Sequence, residues 1–368
     1  MQLTNSLVDE AARQLTVCNA CRYCEGYCPV FPAIELRREF NSGDIVYLSN
    51  LCHDCRACYS ACMFAPPHEF AINLPRILAE SRIDSYRALS WPALFGRAFQ
   101  NWQIGILIPA LVAGIGMTAM VSSLLSNGLL TTAQHGPGAF YRLISFKLIL
   151  LFASVLSLVA TGILLKGAAG FWCSNEQGRP NLKALCRSAI DILSLRWLRG
   201  GGPGCYYPRN KPSSARRIFH ALTFFGFLGT IVSTLLAGFY QHLLHRLPPY
   251  PIDSAPVVFG IIGGIAMVVG TWGLIVIKIF SDRGPAAAKS LDMDYLFLVL
   301  INLASFTGIL TLLLRDTRAL GLVLSVHLAV VAAFFCSLPY GKFVHSIYRS
   351  QALLRYRIER TPNGSGTM

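Results

Sequence analysis

Cys18-Asn19-Ala20-Cys21-Arg22-Tyr23-Cys24-Glu25-Gly26-Tyr27-Cys28-Pro29, followed by Cys52-His53-Asp54-Cys55-Arg56-Ala57-Cys58-Tyr59-Ser60-Ala61-Cys62, decides the fold of the N-terminal part of this chain. Both stretches read C-x2-C-x2-C-x3-C, the spacing that wraps three thiolates around one face of a [4Fe–4S] cubane. In two-cluster ferredoxins the fourth cysteine of such a run ligates the other cluster. Carried over, Cys18, Cys21, Cys24 and Cys62 hold one cluster, and Cys52, Cys55, Cys58 and Cys28 hold the second. Structural zinc is the alternative, since C-x2-C is also zinc-ribbon spacing, but zinc separates its two ligand pairs by a longer finger. Two runs of four close cysteines suit two cubanes better. Met63, not proline, follows the second motif, and Pro66 and Pro67 come only later, which leaves the turn after Cys62 open. His53 is expected to be solvated, with a hydrogen bond toward a cluster as the alternative.

Working outward, eight of the 12 cysteines lie between Cys18 and Cys62, so a cysteine-dense head precedes a long remainder. That remainder is greasy. Of the 368 residues 54% are hydrophobic and only 14% charged, a balance outside the range of soluble domains. Met1 to Val17 contains Asp9, Glu10 and Arg13 and no continuous apolar stretch, so no secretory leader is expected and the head is expected in the cytoplasm. Thiols there stay reduced, which favours metal ligation over disulfides. Cys173, Cys186, Cys205 and Cys336 are spaced too widely for another cluster. The formal charge of +14 is unevenly held: residues 1–103 have nine Lys/Arg against ten Asp/Glu, and residues 104–368 have 23 against eight. The basic charge therefore belongs to the apolar part, which removes the case for nucleic acid as a partner.

Six apolar runs of 21–25 residues follow the head, at about 104–126, 143–165, 218–240, 256–280, 294–314 and 319–341. Each is long enough for a helix across roughly 30 Å of hydrocarbon. Lys147 and Lys278 lie near run ends and are expected to snorkel to headgroups; Asp294 sits at a margin, and no run has an interior carboxylate. The loop at 166–217 carries ten Lys/Arg and the C-terminal segment carries Arg349, Arg355, Arg357 and Arg360, so the positive-inside rule puts head, loop and both termini in the cytoplasm. The fold class is all-α: an N-terminal α-helical ferredoxin-like two-cluster domain (1–103), then a six-helix transmembrane, cytochrome-b-like bundle (104–345), then a basic cytoplasmic tail (346–368). Gly226, Gly229, Gly263 and Gly264 mark close helix packing or room for a porphyrin.

His327 lies inside the sixth run, where a polar side chain is a functional-site hypothesis by default. On one continuous helix His345, 18 residues later, is five turns on and projects from the same face about 27 Å away. One helix then offers an axial ligand to each of two stacked haems. His220, at the cytoplasmic end of the third run, is at the level of His345; His242 or His245 is at the level of His327. The candidate ligands are His220 with His345 for one b-type haem, and His327 with His242 or His245 for a second. The plainer reading leaves such terminal histidines among lipid headgroups.

The stretches CNACRYCEGYCPVFPAIELRREF and NLCHDCRACYSACMFAPPHEFAINLPRILAE, with the polytopic body after them, resemble the tricarballylate/citrate utilisation protein B family. The resemblance covers essentially the whole chain, and the two cysteine motifs with the APPHEFAINLPR continuation are its most specific part. It implies a membrane iron–sulfur protein of the bacterial inner membrane that reoxidises the reduced FAD of a partner, tricarballylate dehydrogenase. Electrons then pass through the clusters, with a haem, to the quinone pool. Haem-bearing subunits of nitrate reductases are an architectural analogy. The residues agree: no Gly-rich dinucleotide fingerprint follows a strand, so the flavin is expected on the partner. The membrane arm of another dehydrogenase or of a heterodisulfide-reductase-like complex stays open. A tricarboxylate transporter with redox-sensing clusters fits less well, for want of interior carboxylates and of broken helices.

Overall fold

The computed structural model describes residues 4–174, 180–200, 202 and 204–360. The head is built from short helices: α1 (Asn5–Cys21), α2 (Val30–Ile34), α3 (Ser42–Leu51), α4 (Ala57–Ser60), α5 (Leu74–Leu89) and α6 (Ala93–Gln100). Each start has a local cause. Asn41 caps α3 by accepting from the Asp44 amide at 2.9 Å, and Asp44 reaches back to the Asn41 amide, a capping box. Asn73 caps α5, whose first turn holds Pro75, where a missing N–H costs nothing. Leu15, Val30, Ile34, Ile45, Leu48, Leu51 and Leu78 meet in a fully enclosed core.

Beyond the head come α7 (Trp102–Ser126), α8 (Ala139–Leu143), α9 (Phe146–Cys173), α10 (Leu182–Leu193), a two-residue-per-strand antiparallel hairpin of β1 (Cys205–Tyr206) and β2 (Pro212–Ser213), then α11 (Ala215–His242), α12 (Ala255–Ile279), α13 (Ala288–Leu313), α14 (Leu320–Ser337) and α15 (Val344–Glu359). Six of these, α7, α9 and α11 to α14, are long and apolar enough to cross a membrane. Leu158, Ile115, Leu235, Leu165 and Ile262 all point outward, an apolar belt that only lipid can cover. This is a multi-pass membrane protein. The glycines serve helix packing: a Cβ on Gly226 would meet the Gly263 carbonyl at 2.7 Å, and one on Gly270 would meet the Phe219 carbonyl at 2.7 Å. Lys278 does not snorkel. It pairs with Asp294, whose other oxygen takes Lys342 at 2.7 Å, an ion triad held by α12, α13 and the segment before α15.

Two expectations change here. The last apolar run does not continue to His345: α14 ends at Ser337 and the chain turns through 338–343, because Pro339 cannot donate to a helix and Gly341 favours the turn. Nor is the segment from residue 346 a free tail. As α15 it inserts into the head, burying Val344, Tyr348, Ala352, Leu353 and Tyr356 in the same core as Leu48 and Leu78. Residues 361–368 of that segment lie outside the described residues. Charge pins the helix: Glu359 accepts from Arg37 at 2.6 Å, Arg355 at 2.9 Å and the Tyr47 hydroxyl at 3.0 Å. Removing one member of a buried network leaves its partners' charges desolvated. Glu359→Ala is therefore expected to destabilise the head by about 3 kcal/mol, read as a lower thermal midpoint in detergent; an unchanged midpoint would show that α15 is not part of the head's core.

Candidate metal centres

Helix α1 ends on Cys21, and Arg22, in the left-handed region at φ 53°, returns its N–H to the Cys18 carbonyl and turns Cys24 back toward the helix. The second motif leaves α3 at Cys52, with Asp54 (φ 51°) and Arg56 (φ 63°) on either side of Cys55. Non-glycine residues in this region are strained and collect at functional sites. The turns gather the eight thiols around two neighbouring cavities. The outer one is lined by Cys18, Cys21, Cys24 and Cys62, with Phe31, Ile72 and Leu74 as its apolar wall. The inner one is lined by Cys28, Cys52 and Cys55, with Val30 and Leu78. Cys58 lines both.

The fourth cysteine of each motif thus crosses to the other motif's cavity. Burial, then the neighbouring Cys62, Cys24 and Cys21, pushes the Cys18 thiol up to about 12; burial, then Cys55 and Cys52, pushes Cys28 well above its ordinary value. Thiolates here need a positive centre beside them, as a bound metal provides. Among the described residues no three His, Cys, Asp or Glu side chains converge on a point as ligands of one metal ion do. The eight thiols line the walls of the two cavities.

Of the histidines, the structure brings together His220 on α11 and His345 in the first turn of α15. Their ring centroids are 6.5 Å apart and their planes 85° to each other. Two metal–nitrogen bonds of about 2 Å in line, with half an imidazole at either end, span a similar distance. His345 Nδ1 lies 2.6 Å from the Lys342 carbonyl, which assigns its proton to Nδ1 and leaves Nε2 free to ligate. Burial, then Arg349 and Lys342, holds His345 well below the usual histidine range, so it is neutral. His220 Nδ1 is buried with no hydrogen-bond partner among the described residues. For the second candidate pair no ring contact of His327 with His242 or His245 is seen among the described residues. His327 Nδ1 bonds the Thr307 hydroxyl at 3.0 Å and its ring fills the space over Gly308, while the His242 ring lies against Phe146 and His245 is in the loop after α11. The break at Pro339 is the reason that His327 and His345 share no helix face.

A family model described as citrate utilization protein B matches residues 103–366, and one described as the citrate utilization protein B Fer4-like domain matches residues 11–88. The chain belongs to the citrate utilization protein B family. A curated protein named citrate utilization protein B, from Escherichia coli, is 39% identical over 354 residues, 95% of this chain and 92% of its own length. No solved structure matches. The Fer4-like match holds all eight thiols, so this family member is an iron–sulfur electron-transfer protein of the membrane.

Several residues around its inner cavity carry no local sequence signal. Tyr207 lies between the guanidiniums of Arg56 and Arg216, 4.0 and 4.9 Å from the ring, and donates to Asp54 at 2.7 Å. Burial alone would push Asp54 up, yet Arg56 and Arg216 hold it below the ordinary carboxylate value. The Tyr206 amide bonds the Cys55 carbonyl, so the hairpin clamps the second motif. Cys205, fully buried, packs with Cys55 and donates to the Leu198 carbonyl. His53 is buried, not solvated: its Nδ1 bonds the Leu51 carbonyl, and burial keeps it neutral.

Proposed function

We propose that this protein carries electrons from the reduced FAD of a cytoplasmic partner, a tricarballylate dehydrogenase or an enzyme of a related tricarboxylic acid, to the quinone pool of the bacterial inner membrane. Cys18, Cys21, Cys24 and Cys62 would hold an outer [4Fe–4S] cluster, Cys28, Cys52, Cys55 and Cys58 an inner one, and His220 with His345 a b-type haem. Such groups, when bound, supply the one-electron steps that divide a flavin's electron pair before it reaches quinone.

The observation that carries this reading is the order of the sites. At the lip of the outer cavity Cys21 is exposed and Tyr23 and Met63 are 58% and 60% exposed, a place for a partner's flavin edge to approach. Cys58 joins that cavity to the inner one, and the loop of the inner cavity touches the two helices that bear His220 and His345. The ten Lys/Arg of the 166–217 segment support a cytoplasmic head, since that segment includes the hairpin packed on it. The Escherichia coli relative's name supports a citrate-like acid as the partner's substrate.

Anaerobically purified protein should contain about eight irons. Acid-labile sulfide near zero with stoichiometric zinc would overturn the cluster assignment. Membranes with this protein, mixed with the flavoenzyme, its acid and a quinone analogue, should reduce the quinone, and Cys→Ser changes in both motifs should stop it. Quinone reduction that survives those changes would exclude the route.

A further inference from the structure

Two arginines stand at mirrored positions in the sequence, each one helical turn from a histidine of the close pair: Arg216 precedes His220 by four residues on α11, and Arg349 follows His345 by four on α15. Both side chains reach the same short loop of the inner cavity. Arg349 donates through Nη2 to the Cys52 carbonyl at 2.8 Å and through Nε to the Asn50 carbonyl at 3.3 Å. Arg216 donates through Nη1 to the His53 and Asp54 carbonyls at 2.9 and 2.8 Å, and approaches the Cys205 sulfur at 3.7 Å. Carbonyls 50 and 52 are thus held from one histidine helix and carbonyls 53 and 54 from the other. A third arginine, Arg82 on α5, also bonds the Cys52 carbonyl, at 2.6 Å, but α5 bears neither histidine.

We infer that Arg216 and Arg349 are paired positioning residues that couple the inner cluster to the His220–His345 centre. This rests on the reading that those thiols and histidines hold a cubane and a haem. Two physical effects follow from the placement. A guanidinium fixed by carbonyls beside the Cys52 ligand favours the more negative, reduced cluster and so raises its potential. The same guanidinium joins the Cys52 peptide, by hydrogen bonds and one helical turn, to an axial histidine, so the two centres are held at one separation. Arg82 brings a guanidinium to the same Cys52 carbonyl but no link to a histidine helix, so it separates the charge effect, which it shares, from the bridge, which it lacks.

The test is an EPR-monitored redox titration of the full-length protein in detergent, with iron content and the haem α-band measured on each sample. Arg349→Gln and Arg216→Gln should each shift the inner cluster's reduction equilibrium about tenfold toward the oxidised form, about 59 mV for one electron, while Arg349→Lys keeps most of the wild-type potential. After flash photoreduction with a deazaflavin, haem reduction should slow in both glutamine variants and not in Arg82→Gln. Unchanged potentials and rates in samples with full iron and full α-band would overturn the coupling role. If a glutamine variant loses iron, the lysine variant carries the test: a wild-type potential with slowed haem reduction supports the bridge, and wild-type values of both refute it. A wild-type protein with no α-band would instead sink the haem reading, and the cluster potentials would still report the charge effect.

Discussion

Replacing Cys28 by serine is expected to remove the inner cluster and spare the outer one, although Cys28 closes the first motif. Its thiol lines the cavity of Cys52, Cys55 and Cys58, and after burial it is the charge of Cys55 and Cys52 that acts on it. The reciprocal change, Cys62→Ser, should remove the outer cluster only, since Cys62 lines the cavity of Cys18, Cys21 and Cys24. Each variant should retain about four of eight irons and one EPR signal in place of two interacting ones. Cys24→Ser is the discriminating control. If the motifs ligated without crossing, Cys24→Ser and Cys28→Ser would leave the same surviving signal; with crossed ligation they leave different ones. On the proposed route the outer thiols would receive the electrons and the inner thiols, next to α11 and α15, would pass them on, so either loss should bring flavin-driven quinone reduction to background.

The iron–sulfur character of the head was legible because cluster ligation is largely local: a spacing of two or three residues is itself most of the geometry. The six spans were legible because bilayer thickness fixes helix length. Pro339 shows where that reasoning misleads. Hydropathy runs on through Leu338, Pro339 and Tyr340 to residue 341, but α14 ends at Ser337, where Pro339 followed closely by Gly341 gives the chain a turn; the lone Pro109 within α7 does not end its helix. The geometric link between His327 and His345 went with it.

Helix α15 was hidden by its charge. Val344, Tyr348, Ala352 and Tyr356 recur every fourth residue, a helical face, yet Arg349, Arg355 and Arg357 among them read as a basic tail. Those cations are matched over long sequence distances: Arg355 by Asp44, Arg357 by Asp191, Arg349 by the Asn50 and Cys52 carbonyls. Among their ion pairs in the described residues, only Arg355–Glu359 lies within one helix; the other partners are on distant segments. The same holds for Cys205 beside Cys55 and for Tyr207 between Arg56 and Arg216. One signal does lie at short range in the sequence, the mirrored four-residue spacing of Arg216 with His220 and of His345 with Arg349.

His345→Ala and His220→Ala are each expected to abolish the b-type α-band of the reduced-minus-oxidised spectrum, whereas His327→Ala should leave it unchanged. His345 has its Nδ1 committed to the Lys342 carbonyl and is neutral, so its Nε2 can ligate without first losing a proton. His220, 6.5 Å away between centroids, is the partner ring in reach, and a haem held by this pair would lose one of its two protein ligands in either variant. His327, with its Nδ1 on the Thr307 hydroxyl, stands outside the close histidine pair, so its removal should cost about 1 kcal/mol of stability and leave the band. Ligand loss is separable from misfolding by His345→Gly: exogenous imidazole in the vacated space should restore the band, which an unfolded bundle could not do. A band that persists in both His220→Ala and His345→Ala would remove this pair as the ligands, and a band lost only in His327→Ala would move the centre to the far side of the membrane. Retention of both clusters in all three variants is the accompanying expectation, because the thiols are held by α1, α3 and the hairpin and not by the histidines.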